Sequence, residues 1–386
     1  MKKLLLSLAV LFGLSTAAVS ALDSSLIFKN KSTAMTSDFQ TYGFLQTDEL
    51  YLNLSKAIGK TGFDIATEVY FKAMYTAKDV TNFLDGSFAY AFDMDLLRLE
   101  GNINIGQGTL NIKAGRFNVS DNTYTIFSQL SDGLSIKYVH PIFSVYAFGG
   151  YTGFLNARNV VMINDKAKPY VPEEGSFYPL AYPYIMYDAG FSLNNLFGNQ
   201  TIKVETLGFF DRTSNEANRY YLNTAFSGPL ANDFSYYFST SFGTVNFDSI
   251  MNYTTLKVNY ALSDAAVFNV GTDYASGNNG FLSKFAGISS KTINVSAAYP
   301  ETTGFVVPNV GFSYVRNNFL TLIEGKFFME CPENAITPAG VEGDLSMIIN
   351  ALYDLQLGID IAGYYDITPE HRKTNVMATF KFVLVF

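Results

Sequence analysis

The last ten residues, Met377-Ala-Thr-Phe-Lys-Phe-Val-Leu-Val-Phe386, alternate with a period of two. One face collects Ala378, Phe380, Phe382, Leu384 and Phe386, and the other carries Thr379 and Lys381. Successive side chains of a β-strand point to opposite faces, so the pattern is that of a strand with one apolar side and one wet side. The β-branched and aromatic content fits strand chemistry. An apolar strand of this kind has little reason to close a water-soluble sheet on its final residue.

The same alternation recurs along the chain, with charge confined to one face. Phe63, Ile65, Thr67, Val69, Phe71, Ala73 and Tyr75 oppose a set that includes Glu68, Tyr70 and Lys72. Leu97, Leu99, Ile103 and Ile105 oppose Arg98 and Glu100, and Ile202, Val204, Thr206 and Phe210 oppose Lys203 and Glu205. Phe319, Thr321, Ile323 and Phe327 oppose Glu324 and Lys326, while Leu357, Ile359, Ile361 and Tyr365 oppose Asp360. A charged side chain cannot be left in hydrocarbon but is comfortable in a water-filled lumen, so the apolar faces read as lipid-facing. Weaker segments lie near residues 45–56, 87–94, 109–118, 133–140, 143–152, 183–194, 219–227, 234–243, 251–262, 266–275, 291–299, 308–316 and 345–353. Short turn chemistry at Gly59–Gly62, Gly106–Gly108, His140-Pro141, Ser263-Asp264 and Tyr353-Asp354 alternates with longer connections at 118–132, 153–182 and 331–343. Tight turns at one end and long loops at the other are the layout of a membrane barrel. Adding the weak stretches 24–30 and 280–288 gives about twenty strands, and even numbers are the rule, so eighteen is the expectation within a range of 16–20.

With these residues in view, the C-terminus resembles the closing strand of bacterial outer-membrane β-barrel proteins, porins included. Their terminal Phe and alternating apolar residues are matched by Phe386, Leu384, Phe382 and Phe380. The resemblance implies an all-β, transmembrane antiparallel barrel in the bacterial outer membrane, and these four residues as the signal read by the barrel-assembly machinery. It also implies a channel for passive diffusion of small hydrophilic solutes or ions. A shorter similarity covers Lys113-Ala-Gly-Arg-Phe-Asn-Val-Ser-Asp121 and Ser128–Leu134, which look like the Gly-Arg strand end and Asp-Gly strand entry of several porin families. It gives Arg116 a role in the pore field, next to an equal reading in which Arg116 pairs with a lumen carboxylate.

The chain's beginning agrees. Met1-Lys-Lys-Leu-Leu-Leu opens a charged start and an apolar run to Leu14, followed by small residues and a Val-x-Ala cleavage pattern ending at Ala21. Residues 1–21 therefore read as a secretory signal peptide and 22–386 as one barrel domain. No stretch approaches the roughly 20 apolar residues that a spanning helix needs. Aromatic residues make up 16% and charged residues also 16%, the latter well under the usual share of about a quarter. Tyr 26 and Phe 35, with Trp 0, would have to supply both interfacial girdles. A net charge of −8 without basic clusters argues against nucleic acid, and two His with one Cys leave little for a metal, a cofactor or a disulfide.

Pore-lining candidates are Glu68, Lys72, Arg98, Glu100, Lys113, Arg116, Lys203, Glu205, Lys257, Asp273, Glu324, Lys326 and Asp360. They neutralise one another across a wet interior, and a subset at the narrowest level would set a transverse field. The longest connection, Leu155–Pro183, carries Arg158, Asp165, Lys166, Lys168, Glu173 and Glu174, but also Val160-Val-Met-Ile163 and Phe177, Tyr178 and Tyr182. A loop bound for solvent has no need of that apolar content, so it is expected either to fold into the mouth and constrict it or to cap the rim. Catalysis is disfavoured: His140 precedes a Pro in a turn, His371 sits in a polar loop-like stretch, and no Gly-x-Ser-x-Gly elbow occurs. Two alternatives stay open, an adhesive or ligand-binding barrel with Tyr178, Tyr182 and Tyr184 as an aromatic platform, and a hydrophobic-solute transporter. For the second, Asp23–Gln46 is short for a hatch. Membrane lipid is a partner in every reading, and homo-oligomerisation stays open.

Deleting Phe386 should lower the yield of heat-modifiable, folded barrel in the outer membrane without touching a transport residue. Normal yields would refute the role given to the terminal strand. By the face assignment, Val69→Arg should impair insertion and Tyr70→Arg should be tolerated.

Overall fold

The computed structural model describes residues 23–59, 61–79, 86–172, 178–213, 217–278, 281–289, 303–331, 335–368 and 374–386. Residues 1–21, the segment 291–299, Glu173, Glu174, Phe177 and His371 lie outside them.

The strands are β1 (Asp23–Ser37), β2 (Thr41–Ala57), β3 (Phe63–Ala77), β4 (Ser87–Ile105), β5 (Gly108–Ser120) and β6 (Ser128–Val139). They continue as β7 (Phe143–Tyr151), β8 (Tyr184–Leu196), β9 (Gln200–Asp211), β10 (Arg219–Ala231), β11 (Phe234–Val245) and β12 (Ser249–Ser263). The last are β13 (Ala266–Ala275), β14 (Phe305–Arg316), β15 (Phe319–Glu330), β16 (Thr337–Asn350), β17 (Leu355–Asp366) and β18 (Thr374–Val385). Each pairs antiparallel with its neighbour in sequence, and β1 pairs with β18 from Ile27↔Val385 to Ser37↔Asn375, so the 18-stranded sheet closes on itself. The expected strand number and fold class are those observed. Closure removes both sheet edges, which is what hydrocarbon demands of a spanning sheet.

The two faces follow the sequence alternation. Ile65, Leu99, Phe242, Ile323 and Ile361 are exposed outward, whereas Tyr70 is 1% exposed and stacked on Tyr51 inside, with ring centroids 5.3 Å apart. The turns at Gly59–Gly62, Gly106–Gly108, His140-Pro141, Ser263-Asp264 and Tyr353-Asp354 all lie at one end, and the long connections at the other.

Three sequence expectations differ in detail. The stretch 24–30 is the first half of β1, and the expected strand 280–288 is, over its described residues 281–288, no strand but a segment that runs into the barrel. The segments 87–94 and 97–105 are one strand, β4, interrupted by a bulge: Met94 pairs with Val69 and Leu96 with Glu68, which leaves Asp95 as the extra residue. The bulge inverts the parity, so Phe88, Tyr90, Phe92 and Met94 point outward before it and Leu97, Leu99, Ile103 and Ile105 after it.

Val69→Arg places a cation on the lipid face at the middle of β3 and should cost about 2–4 kcal/mol of barrel stability. The tolerance expected of Tyr70→Arg is corrected by the Tyr51 stack: the lumen face is wet in general, but this position is packed. Urea-dependent refolding into vesicles measures both. A Tyr70→Arg barrel as stable as wild type would show that the stack contributes nothing.

Candidate functional site

The interior has two unlike sectors. On the inner wall of β15 to β18 and β1 to β5, ionic side chains pair at close range. Lys326 lies 3.4 Å from Glu324, 3.3 Å from Glu342 and 2.5 Å from Asp344. Lys381 pairs with Asp360. Lys72 is 3.5 Å from Glu49, and Arg98 bridges Asp64 at 3.4 Å and Glu100 at 3.0 Å, with Lys113 3.2 Å from Glu100. These residues come together because strand pairing brings alternate inward positions level: Glu49↔Lys72, Glu100↔Lys113 and Lys326↔Glu342 are direct cross-strand partners. Lys29 adds a cation 4.0 Å over the Tyr51 ring.

The other sector is an apolar pack at the loop end. Inward side chains of β5 to β17, among them Phe148, Met186, Phe209, Tyr221, Tyr253, Phe305 and Phe328, bury Ile126, Phe127, Leu155, Val160, Met162, Phe285 and Ile288 from three connections at the loop end. The three connections also bond to one another: Ile163 N to Ile288 O at 2.8 Å and Ile288 N to Ile126 O at 2.7 Å. Arg219, 1% exposed, staples two of them through Gly287 O at 3.0 Å and Asn164 O at 2.6 Å. Tyr184 and Tyr221 donate their hydroxyls to Ile163 O and Ala286 O. The apolar run Val160–Ile163 therefore lies inside the mouth, where the fold-back alternative puts it, and not on the rim.

Asp121 organises the shortest of the three. Its carboxylate accepts from the backbone N–H groups of Thr123, Ile126 and Phe127 at 2.9, 3.0 and 2.8 Å, turning the chain inward at once. Beside it Glu205 accepts from Asn122 N, from Asn223 Nδ2 at 2.8 Å and from the Tyr146 hydroxyl. Glu205 and Asp188, 1% and 2% exposed, are thus part of a buried wall and not of an open lining.

The structure places Glu68, Lys72, Arg98, Glu100, Lys113, Lys203, Lys257, Asp273, Glu324, Lys326 and Asp360 on the inward face. Asp273 is tied to Tyr253 and Asn309 at 3.1 and 3.0 Å. Arg116 differs: it stands level with Leu97 and Asp132, on the outward register, and bridges a seam in the wall between β4 and β5. Of the loop candidates, Arg158 donates to Tyr90 O at 2.9 Å, and Lys166 and Lys168 are held at their backbone N–H by Asn164 Oδ1. Asp165 lies on the same segment. In that loop burial raises the Tyr178 hydroxyl pKa, and pushes that of Tyr182 up to about 12, so both stay donors, Tyr182 to Asp211 at 2.9 Å. His140 stacks on Phe143 at the turn end.

Sequence reasoning missed Glu342 and Asp344 because it began their strand too late, although Val341, Gly343 and Leu345 alternate with them. It also missed Asp121, whose Asp-Asn-Thr run is a turn signal, and Arg219, which carries none.

No protein-family model matches the chain, and no curated protein matches it. Solved structures do. Pseudomonas aeruginosa OpdQ aligns with a TM-score of 0.65 at 11% identity over 95% of this chain and 99% of that one. Pseudomonas aeruginosa OccK5 (OpdH) gives 0.63 at 10% over 94% and 98%, and Pseudomonas aeruginosa OpdK with vanillate 0.60 at 10% over 94% and 99%.

Asp121→Ala leaves several buried N–H groups without a partner, at about 1–3 kcal/mol each, and should lower the thermal midpoint and open 121–127 to protease. An unchanged midpoint and digestion pattern would deny Asp121 this role. At such low identity the likeness is one of fold, and the fold it shows is the closed 18-stranded antiparallel barrel of outer-membrane porins.

Proposed function

We propose that the chain is an outer-membrane channel for passive diffusion of small hydrophilic solutes or ions. The observation that carries it is the division of the interior into an ion-paired wall and an apolar loop pack. A lumen meant to stay dry would not keep Lys326, Lys381, Lys72 and Arg98 on its wall, and an adhesive barrel would not need its longest loop folded inside. An 18-strand wall is too wide for its own side chains to fill, so the loops narrow it and leave a polar passage along the charged sector. Small solutes fit one of the similar structures, OpdK with vanillate.

In this reading residues 1–21 are the signal peptide, 22–386 the barrel, and Phe380, Phe382, Leu384 and Phe386 the signal for the assembly machinery. Lys326, Lys72 and Arg98, with their carboxylates, line the path. Arg158, Asp165, Lys166 and Lys168, with Glu173 and Glu174, meet solute at the mouth. No step calls for a cofactor or a metal.

Single-channel recording in a planar bilayer tests this. Purified protein should give discrete conductance steps, and deletion of Val160–Lys168 should raise the step size, because it removes the apolar anchor that seats the loop. A folded barrel that never conducts would overturn the channel. Unchanged conductance in a folded deletion would remove the constricting role of the loop.

A further inference from the structure

The wall between β4 and β5 is incomplete. Their ladder runs from Ile105↔Gly108 to Leu97↔Arg116 and stops there, so among the described residues no strand pairs with β4 from Ser87 to Leu96 on that side. The break begins at two neighbouring irregularities. One is the Asp95 bulge, and the other is Gly115, whose φ of +112° only glycine adopts readily and where a Cβ would sit 2.0 Å from Leu97 O. Side chains fill the space that a strand would occupy. Arg116 donates to Met94 O at 3.1 Å and Arg158 to Tyr90 O at 2.9 Å, satisfying carbonyls of the open edge. Asn159 bonds Asp93 at 3.3 Å, and Tyr178 bonds Asp93 at 2.8 Å and Phe154 O at 3.2 Å.

An unpaired strand edge at membrane depth is costly, since hydrocarbon offers no hydrogen bonds, and closed barrels avoid it. Here it borders a cavity of about 500 Å³. The outward residues Phe92, Met94 and Leu97 give it an apolar wall, Gly115 and Gly133 leave its floor without side chains, and Arg116, Asp132, Asp93 and Tyr178 form its polar end. The guanidinium is fully engaged: it meets Asp132 at 2.8 and 2.9 Å, Asp93 at 3.2 Å, Tyr178 at 3.3 Å and Phe154 O at 3.1 Å. Among the described residues that line the cavity one guanidinium stands against two carboxylates, a net negative lining, and the Asp132 side chain is 26% exposed.

We propose that this seam binds an amphiphile, its alkyl chain along Phe92, Met94 and Leu97 and a cationic head group against Asp132. The site opens toward the bilayer, and the inward loop closes it from the lumen side. It rests on the barrel spanning a membrane and not on the lumen conducting, so either conclusion can fall alone. An anionic head group would face Asp93 and Asp132 with no free guanidinium donor and is excluded on that ground.

The test is equilibrium dialysis of radiolabelled dodecyltrimethylammonium, below its micelle concentration, against the full barrel in phosphatidylcholine nanodiscs, with empty nanodiscs subtracted. Saturable binding of one probe per barrel is expected, competed by unlabelled probe and not by dodecyl sulfate. Leu97→Trp, which fills the cavity from the lipid side, should weaken binding roughly tenfold or more, with single-channel conductance unchanged. Met94→Phe fills the same space if the first variant does not fold, and Ile359→Trp, on a remote part of the outer wall, should bind as wild type. Non-saturable uptake, meaning annular lipid exchange only, would overturn the proposal. So would equal competition by dodecyl sulfate, or wild-type affinity in both filled variants.

Discussion

Backbone hydrogen bonding in a solvent that offers none is the constraint on which this structure depends. Strand N–H and C=O groups find another strand nearly throughout, side chains serve the β4 edge beyond Leu97, and the ladder closes where β1 meets β18. Once the wall is closed, side-chain choice outside is mostly reduced to apolar residues, with the Arg116–Asp132 pair at the β4–β5 seam as the exception, and most chemical variety is driven inward or to the ends. Thr33 and Thr379 show the consequence at the closing seam, where their hydroxyls meet at 3.0 Å, buried on the inner side.

Closure at eighteen strands creates a second problem. The circumference fixes a lumen too wide to be packed by the wall alone. The chain solves it over one arc by folding connections inward and giving them a hydrophobic core, with Phe127, Met162 and Ile288 completely covered. Elsewhere on the inner wall it balances charge. The apolar residues of the 152–183 connection are thus of the same kind as the core of a soluble protein. They serve inside a barrel the purpose that the lipid-facing residues serve outside it, which is to keep hydrocarbon away from water.

Sequence periodicity was informative wherever one face of a strand meets lipid, because that face tolerates only apolar residues. Ile323 against Glu324, or Leu357 against Asp360, could be assigned from alternation alone. It failed where tertiary packing overrides the rule. The Asp95 bulge inverts parity inside one strand, so a pattern reading splits β4 in two. Tyr70 shares a face with Lys72 and Glu68, yet its stack on Tyr51 depends on register with β2, which no local pattern encodes. Arg116 reads as a lumen residue from its motif, but the alternation of β5 sets it on the outward register opposite Leu97, where the β4–β5 ladder ends. The fold-back of 152–183 was half legible, since its apolar run argued for burial and nothing in it said against what.

The β1–β18 seam also governs the order of events in folding. Ile27 and Val385 are partners from opposite ends of the chain, and the Leu26 and Phe386 backbones exchange two hydrogen bonds at 3.1 and 2.8 Å. The entropy of bringing ends this far apart together must be met before their contacts give anything back. All other strand pairs join sequence neighbours and can zip locally. Closure is therefore the single non-local step, and until it happens β1 and β18 present bare edges able to accept a strand from any neighbouring chain. A growing chain cannot close early, because its first strand waits for its last. The molecule must be kept from pairing wrongly until its last strand is made, and its vulnerability to misassembly is concentrated in the interval before that one seam forms.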